Sequence, residues 1–318
     1  MNNNKDAKII FMGTPEFSVP ILGALINNYN VVAVVTQPDK KIGRKQILTA
    51  PPVKKIALAN KLKVLQPEKI RDNSEFIQHL KALKPDLIVV AAYGFILPKE
   101  LLDIPKFGAV NVHASLLPKY RGASPIQAAL LNGEKETGVT IMLINEKMDE
   151  GHLLAQKAIT ITNDDNFKTL HDKLSILGAH LLIDTLPKYL SSQIKPQKQD
   201  DNRATYCKIL TKKDGKIDWR KSALEIERQV RALNPWPGTW TTWQNKILKI
   251  LEVEILNPQI NCAESEIGKT FLTKQQALAI NCKQGSLILK KLQPEGRKPM
   301  AAKEFLNGYQ EIIGSILK

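Results

Sequence analysis

The sequence is poor in cysteine. Three residues, Cys207, Cys262 and Cys282, are spread through 318 positions. Widely spaced and odd in number, they form neither a disulfide framework nor a zinc-ligand pattern, which suits a reducing, cytoplasmic setting. Long apolar runs are also missing. None approaches the ~18 residues that a membrane-spanning helix needs, so no membrane partner is expected. The first residues, Met1-Asn-Asn-Asn-Lys-Asp-Ala7, lack the apolar core of a signal peptide. No internal repeat is visible. Gly13 stands alone after the first strand-like run. A dinucleotide site needs G-x-G-x-x-G to bring backbone against a pyrophosphate, so a nicotinamide cofactor is not expected.

What the chain has in excess is positive charge. Lys and Arg number 46 against 31 Asp and Glu, a formal net charge of +15, and the isoelectric point is near 9.6. Such a surface favours a polyanion, nucleic acid or anionic membrane, although lysine-rich solvated faces produce the same balance. Hydrophobic content of 43% supports real cores, and the length fits two domains better than one.

Residues 8–12 predict a buried strand, 17–28 a helix and 31–35 a second strand, a βαβ opening that implies a parallel sheet. Residues 37–55 form a long connection carrying Lys40, Lys41, Arg44, Lys45, Lys54 and Lys55 against only Asp39. It reads either as a basic flap that meets phosphate or as an exposed loop. A helix over 52–60, a strand at 63–65 and a helix capped by Asp72 or Ser74 follow. Leu87–Ala92 is apolar on both faces, as in a central strand covered on each side by helices. Strands at 137–143 and 151–161 and a closing helix at 167–190 complete the first domain. The expected fold is α/β: a Rossmann-like, mostly parallel sheet with helices on both faces over residues 1–190.

Residues 191–207 turn to Ser, Gln, Lys, Pro and Asp and read as a linker draped on the surface, with Tyr206 as an aromatic anchor. Residues 208–318 carry 19 Lys/Arg against 11 Asp/Glu. A helix at 222–233, with Leu224, Ile226, Val230 and Leu233 inward, precedes short alternating strands, the pattern of a small OB-like β-barrel. A final helix is expected over 301–317. Asn234-Pro-Trp-Pro-Gly-Thr-Trp240 is a stiff apolar knot suited to packing one domain on the other.

The chemistry is concentrated in Ala109-Val-Asn-Val-His113 and the loop behind it. Asn111 and His113 are two apart on a strand, so they share a face. An amide and an imidazole side by side can polarise a carbonyl and move a proton. Pro118 lacks an N–H and Gly122 can take φ > 0, so the following loop is shaped. Tyr93-Gly-Phe-Ile96 lies at the carboxyl end of the central strand, where open α/β sheets bind ligands. It reads equally as a wall for a flat heteroaromatic or as a core turn. Asp149, in Met148-Asp-Glu-Gly151, is by itself an ordinary acidic turn.

The whole string Asn111-Val-His113-Ala-Ser-Leu-Leu-Pro118-x-x-Arg121-Gly122 resembles the signature of the 10-formyltetrahydrofolate-dependent formyltransferases. Phe11-Met-Gly-Thr-Pro-Glu-Phe17, Thr36-Gln-Pro-Asp39, Ala92-Tyr-Gly-Phe-Ile-Leu-Pro98 and Asn234-Pro-Trp-Pro237 extend the resemblance along nearly the whole chain, towards those members that act on methionyl-tRNA. The resemblance implies catalysis by Asn111, His113 and Asp149, with 10-formyltetrahydrofolate as donor and no metal. It implies that Tyr93, Gly94, Phe95, Ile96, Ser115, Leu116, Leu117 and Pro118 hold the folate. Lys40, Lys41, Arg44 and Lys45 would meet the acceptor end of initiator methionyl-tRNA, with Arg44 matching the family's key arginine, and residues 208–318 would bind the same tRNA. Relatives that formylate glycinamide ribonucleotide or amino sugar nucleotides share the Asn-x-His and Ser-Leu-Leu-Pro features. A small amine is therefore the alternative acceptor, and the basic flap and basic second domain separate the two readings. Nothing suggests an obligate interface, so a monomer is expected.

Overall fold

The computed structural model describes residues 6–43 and 45–318. The chain gathers into two units, one of Met1–Pro125, Glu136–Thr160 and His171–Lys208, the other of Ile126–Lys135, Ile161–Leu170 and Ile209–Lys318. No helix among the described residues is long and apolar enough to cross a membrane.

In chain order the elements up to the middle of the molecule are β1 (Lys8–Gly13), α1 (Ser18–Asn28), β2 (Asn30–Val35), β3 (Lys40–Ile42), β4 (Ile47–Thr49), α2 (Pro52–Ala59), β5 (Val64–Leu65), α3 (Ser74–Ala82), β6 (Leu87–Ala91), α4 (Lys99–Leu102), β7 (Ala109–His113), β8 (Arg121–Gly122), α5 (Pro125–Leu131), β9 (Glu136–Leu143), β10 (Leu153–Thr160), α6 (Phe167–Leu190) and β11 (Tyr206–Cys207). The main sheet runs β10-β9-β7-β6-β1-β2-β5. From β7 to β5 its neighbours are parallel, whereas β9 is antiparallel to β7 and β10 to β9. All of β6 is buried, because apolar side chains of period two enter cores on both faces. Ile10, Met12, Ile88 and Val90 meet Phe76 and Leu80 of α3 and Leu101 of α4. On the other face Gly178 lets α6 lie against Val112 of β7, where a Cβ would meet Val112 Cγ1 at 2.8 Å.

Two expectations change here. Asn73, rather than Asp72 or Ser74, caps α3, its side chain accepting from the Phe76 N–H at 3.1 Å. The connection at 37–55, expected as a flap or a loop, holds a small antiparallel hairpin of β3 and β4 with Lys41 opposite Leu48 and Ile42 opposite Ile47.

The second unit contains α7 (Ala223–Leu233), β12 (Thr239–Trp243), β13 (Lys246–Asn261), β14 (Thr270–Leu272), β15 (Leu278–Asn281), β16 (Gln284–Pro294), β17 (Met300–Ala301) and α8 (Ala302–Gly308). Ser222 and Glu225 form a capping box at the start of α7. The inward face of α7 is Ala223, Ile226, Val230 and Leu233, while Leu224 is 38% exposed, contrary to expectation. The antiparallel order is β12-β13-β16-β15-β14, with β17 on β16. The chain end joins the two sheet edges. Thr242 and Lys318 exchange backbone hydrogen bonds on the β12 side, and Leu317 and Gly314 donate to Gly268 and Thr270 on the β14 side. The barrel so closed surrounds Trp219, Leu248, Ile250, Ile280, Leu289 and Phe305. The expected final helix stops at Gly308, and Gly314 at φ +80° forms the turn that leads into the closing residues 315–318. In the Pro-Trp knot the Trp236 indole is 53% exposed instead of packed. Asn234 ties the knot to the barrel through its side-chain N–H groups, which reach Val230 O and Thr239 Oγ1.

Candidate active site

The strand β7 places Asn111 and His113 on one face, as its period of two requires. His113 is 6% exposed, and its Nε2 stands 3.0 Å from the Tyr120 carbonyl oxygen. A carbonyl only accepts, so the hydrogen of this contact sits on Nε2 and Nδ1 is the nitrogen turned towards Asp149.

Asp149 is brought to these two side chains by a return turn. Strand β9 is antiparallel to β7 and ends at Leu143 opposite Val110, away from His113. The chain must then return through 144–148, and it turns at Asp149 with φ +54°. Gly151 follows because a Cβ there would lie 1.8 Å from the Leu143 carbonyl oxygen. The turn brings Asp149 Oδ1 to 3.7 Å from His113 Nδ1 and 3.5 Å from Asn111 Nδ2. Its other oxygen, Oδ2, accepts from the Gly122 N–H at 2.8 Å. The first two distances are at or beyond the limit of a good hydrogen bond. Amide, imidazole and carboxylate therefore converge on one point without satisfying one another.

The segment expected to be a linker lies against this point. β11 pairs with β8 in parallel, Tyr206 beside Arg121 and Cys207 beside Gly122. Gln197 exchanges backbone hydrogen bonds with Leu153. Arg121 is 1% exposed, and this strap supplies its hydrogen-bond acceptors, Gln199 Oε1 at 2.9 Å, Asp201 Oδ1 at 2.7 Å and the Tyr206 hydroxyl at 3.1 Å, while Glu150 of the Asp149 turn pairs with it at 3.7 Å. The hydrogen bond from Arg121 holds the Asp201 carboxyl below the usual carboxylate range. Sequence reasoning missed Gln199, Asp201 and the role of Arg121. The signal was Arg121 itself, a guanidinium beside a buried strand that needed an acceptor from elsewhere. Burial pushes the Cys207 thiol up, which keeps it neutral and a poor nucleophile.

The expected donor-binding residues divide into two kinds. Gly94, Phe95 and Ile96 are exposed at the carboxyl end of β6, Ile96 at 62%, and form an apolar surface. Leu116 and Pro118 are half-buried, whereas Tyr93, Ser115 and Leu117 are buried. Ser115 Oγ donates to Lys119 O at 2.6 Å, and Thr140 Oγ1 links Ser115 O to Leu117 N. These groups shape the loop from within. Tyr93 presents its carbonyl to Gln37 Nε2 at 3.0 Å, while burial pushes its phenol up.

Lys40, Lys41 and Lys45 are exposed on the hairpin beside exposed Ile42, Ile47 and Leu48. Arg44 lies outside the described residues. Lys54, counted with the basic flap, instead holds Asp39 at 2.8 Å at the hairpin's root, with Gln66 on the same carboxylate. Hydrogen bonds from Gln66 and Lys54 keep the Asp39 carboxyl below its usual range. A cavity of about 760 Å³ at the amino end of β7, lined by Lys99, Phe107, Ala109 and Tyr189 among others, contains none of the expected site residues. Among the described residues no group of three or more His, Cys, Asp or Glu is gathered to hold a metal ion.

Comparison with known proteins shows the family of the chain. Residues 7–186 match the formyl transferase family, and residues 209–310 match the formyl transferase C-terminal domain. The chain is 47% identical over 312 residues to a methionyl-tRNA formyltransferase of Caldanaerobacter subterraneus, covering 98% of this chain and 100% of that one. It is 49% identical to a methionyl-tRNA formyltransferase of Listeria monocytogenes, covering 95% of each. Among solved structures, the N-formyltransferase of Helicobacter canadensis in complex with folinic acid and dTDP-3-aminofucose shares the fold, with a TM-score of 0.64 at 20% identity over 91% of this chain and 99% of that one. With both halves matched and such relatives aligned end to end, the chain belongs to the formyl transferase family, among its methionyl-tRNA formyltransferases.

Proposed function

We propose that the protein transfers a formyl group from 10-formyltetrahydrofolate to the amino group of methionyl-initiator tRNA, with Asn111, His113 and Asp149 as its catalytic residues. The observation that carries the reading is the convergence of Asn111 Nδ2 and His113 Nδ1 on Asp149 Oδ1, at 3.5 and 3.7 Å. The donor brings an activated one-carbon acyl group carried on nitrogen. The acceptor amine must be neutral to attack, and Asp149, acceptor-only when ionised, takes the proton that the amine sheds as the new N–C bond forms. Negative charge then builds on the formyl oxygen. The Asn111 amide N–H, 3.5 Å from Asp149 Oδ1, is available to donate to it, and a donor aimed at such an oxygen stabilises a transition state by about 2.7–4 kcal/mol. His113 has its Nε2–H committed to Tyr120 O, so only Nδ1 can relay a proton between Asp149 and the departing nitrogen.

Exposed Gly94, Phe95 and Ile96 are suited to the flat donor ring, and the loop 115–118 to its edge. The acceptor is read from charge: the net +15, the 19 Lys/Arg against 11 Asp/Glu of residues 208–318, and exposed Lys40, Lys41 and Lys45. With them Arg44 would contact tRNA phosphate, and residues 208–318 would serve as a tRNA-binding domain joined through 191–207. A small acceptor needs none of this. The protein would work as a monomer in the cytoplasm. The test is incubation with 10-formyltetrahydrofolate and a panel of amines. Rapid formylation of methionyl-tRNA that weakens steeply with salt is the expected result. Salt-insensitive formylation of an amino sugar nucleotide or glycinamide ribonucleotide, with charged tRNA ignored, would replace it.

A further inference from the structure

Gln199 is 4% exposed and lies in a stretch whose composition is that of a linker. Its carboxamide makes four hydrogen bonds. Oε1 accepts from Arg121 Nε at 3.1 Å and from Nη2 at 2.9 Å. Nε2 donates to the carbonyls of Asp149 and Gly151, both at 2.8 Å. That is the full capacity of a carboxamide, two N–H groups and two lone pairs. The reverse orientation would set its oxygen against two carbonyls and its amino group against a guanidinium, so the environment allows only this one.

The two bonds to Asp149 and Gly151 do nothing for the charge of Arg121, which also has Asp201 and Tyr206. They hold the turn that carries Asp149. A non-glycine residue at φ +54° is strained by about 1–3 kcal/mol and persists only where its surroundings impose it. Gln199 grips that turn from the backbone side, while Gly122, next to Arg121, grips the carboxylate. One side chain thus couples both segments that fix the carboxylate oxygens against Asn111 and His113.

We propose that Gln199 is a positioning residue for formyl transfer, setting the Asp149 turn against Arg121 so that the carboxylate meets the amide and imidazole at working distance. The proposal rests on the reading of Asp149 as the proton acceptor. Gln199→Glu is isosteric, keeps an acceptor for Arg121 and removes both donors to the turn. Gln199→Met is nearly isosteric and neutral and removes all four bonds. In the full chain, both should lower kcat about 10–100-fold, the range for residues that orient a reacting group. KM for donor and for tRNA should stay within about threefold, because a side chain 4% exposed with its hydrogen bonds already used offers them little surface. In an Asp149→Asn background, whose residual turnover is measured by single-turnover assay, adding Gln199→Met should cost no more than about twofold, since the group being positioned is already disabled. A drop in melting temperature with kcat unchanged would make Gln199 a structural strut and overturn the proposal. So would an undiminished loss in the Asp149→Asn background. Wild-type kcat in Asp149→Asn alone would overturn the assignment of Asp149 and this proposal with it, whereas an inactive Asp149→Asn beside a full-speed Gln199→Glu would overturn this proposal only.

Discussion

The backbone N–H of Gly122 donates to Asp149 Oδ2 at 2.8 Å, across 27 positions of sequence. A glycine at φ +114° thus fixes the carboxylate of a turn that itself sits at φ +54°. A Cβ on Gly122 would lie 2.2 Å from the Cys207 carbonyl oxygen, which is backbone and cannot move aside. Gly122→Ala should therefore lift the strap from β8 and release Asp149. We expect a loss of stability of at least about 1–3 kcal/mol, from backbone strain alone. Turnover should fall at temperatures where the variant is still folded. Denaturant unfolding and kcat measured on the same preparation check this.

Asn111→Ala and His113→Ala should each reduce turnover by about 10²–10⁴-fold, the range for losing a positioned oxyanion donor or an acid–base group. Asn111 is half-buried at the carboxyl end of the sheet, so its loss should leave circular dichroism unchanged. Near-normal turnover in either variant would remove that residue from the mechanism.

The hairpin lysines should act on tRNA and not on the donor. Replacing Lys40, Lys41 and Lys45 together by Ala should weaken tRNA binding at low salt. It should also reduce the magnitude of the salt slope by up to about 3, roughly one for each phosphate that a lysine had neutralised. KM for the donor should be unchanged, because the three lysines belong to the hairpin and not to the apolar surface of Phe95 and Ile96. A filter-binding titration over a range of salt, with an unaltered slope, would place the tRNA elsewhere.

Acid should loosen the strap through Asp201. Its folded-state pKa is depressed by Arg121, so the stabilisation it provides is present above the unfolded carboxylate value, near 3.9, and is lost as pH falls through the lower folded value. Asp201→Asn should lower the melting temperature by a constant amount above about pH 5 and by progressively less below about pH 4. The side chain is 61% exposed, so the effect is small. A gap between wild type and variant that persists undiminished to about pH 2.5 would show that charge at this position does not hold the strap.

Much of this arrangement is legible in the order of residues. A β-strand alternates faces, so Asn111 and His113 on one side of β7 follow from their spacing alone. The five buried residues of β6 announce a central strand by being apolar on both faces. Other features were missed for local reasons. Asn73 stands between two equally good caps and wins because its carboxamide reaches the Phe76 N–H. The capping box at Ser222 sets the phase of α7, and that phase turns Leu224 outward and Ala223 inward.

Amino-acid order by itself established the α/β sheet, the two-part chain, the basic character and two of the three converging groups. Each of these depends on periodicity or composition, which are local. Tertiary structure alone decided where Asp149 goes, because an antiparallel β9 carries the chain away from His113 and only the return turn brings it back. It also decided that residues 199–207 lie beside the Asp149 turn and Arg121. Polar composition marks a segment as solvated only while no buried charge needs it, and here the Arg121 guanidinium at 1% exposure takes Gln199, Asp201 and Tyr206 as its acceptors and draws the first of them into the interior.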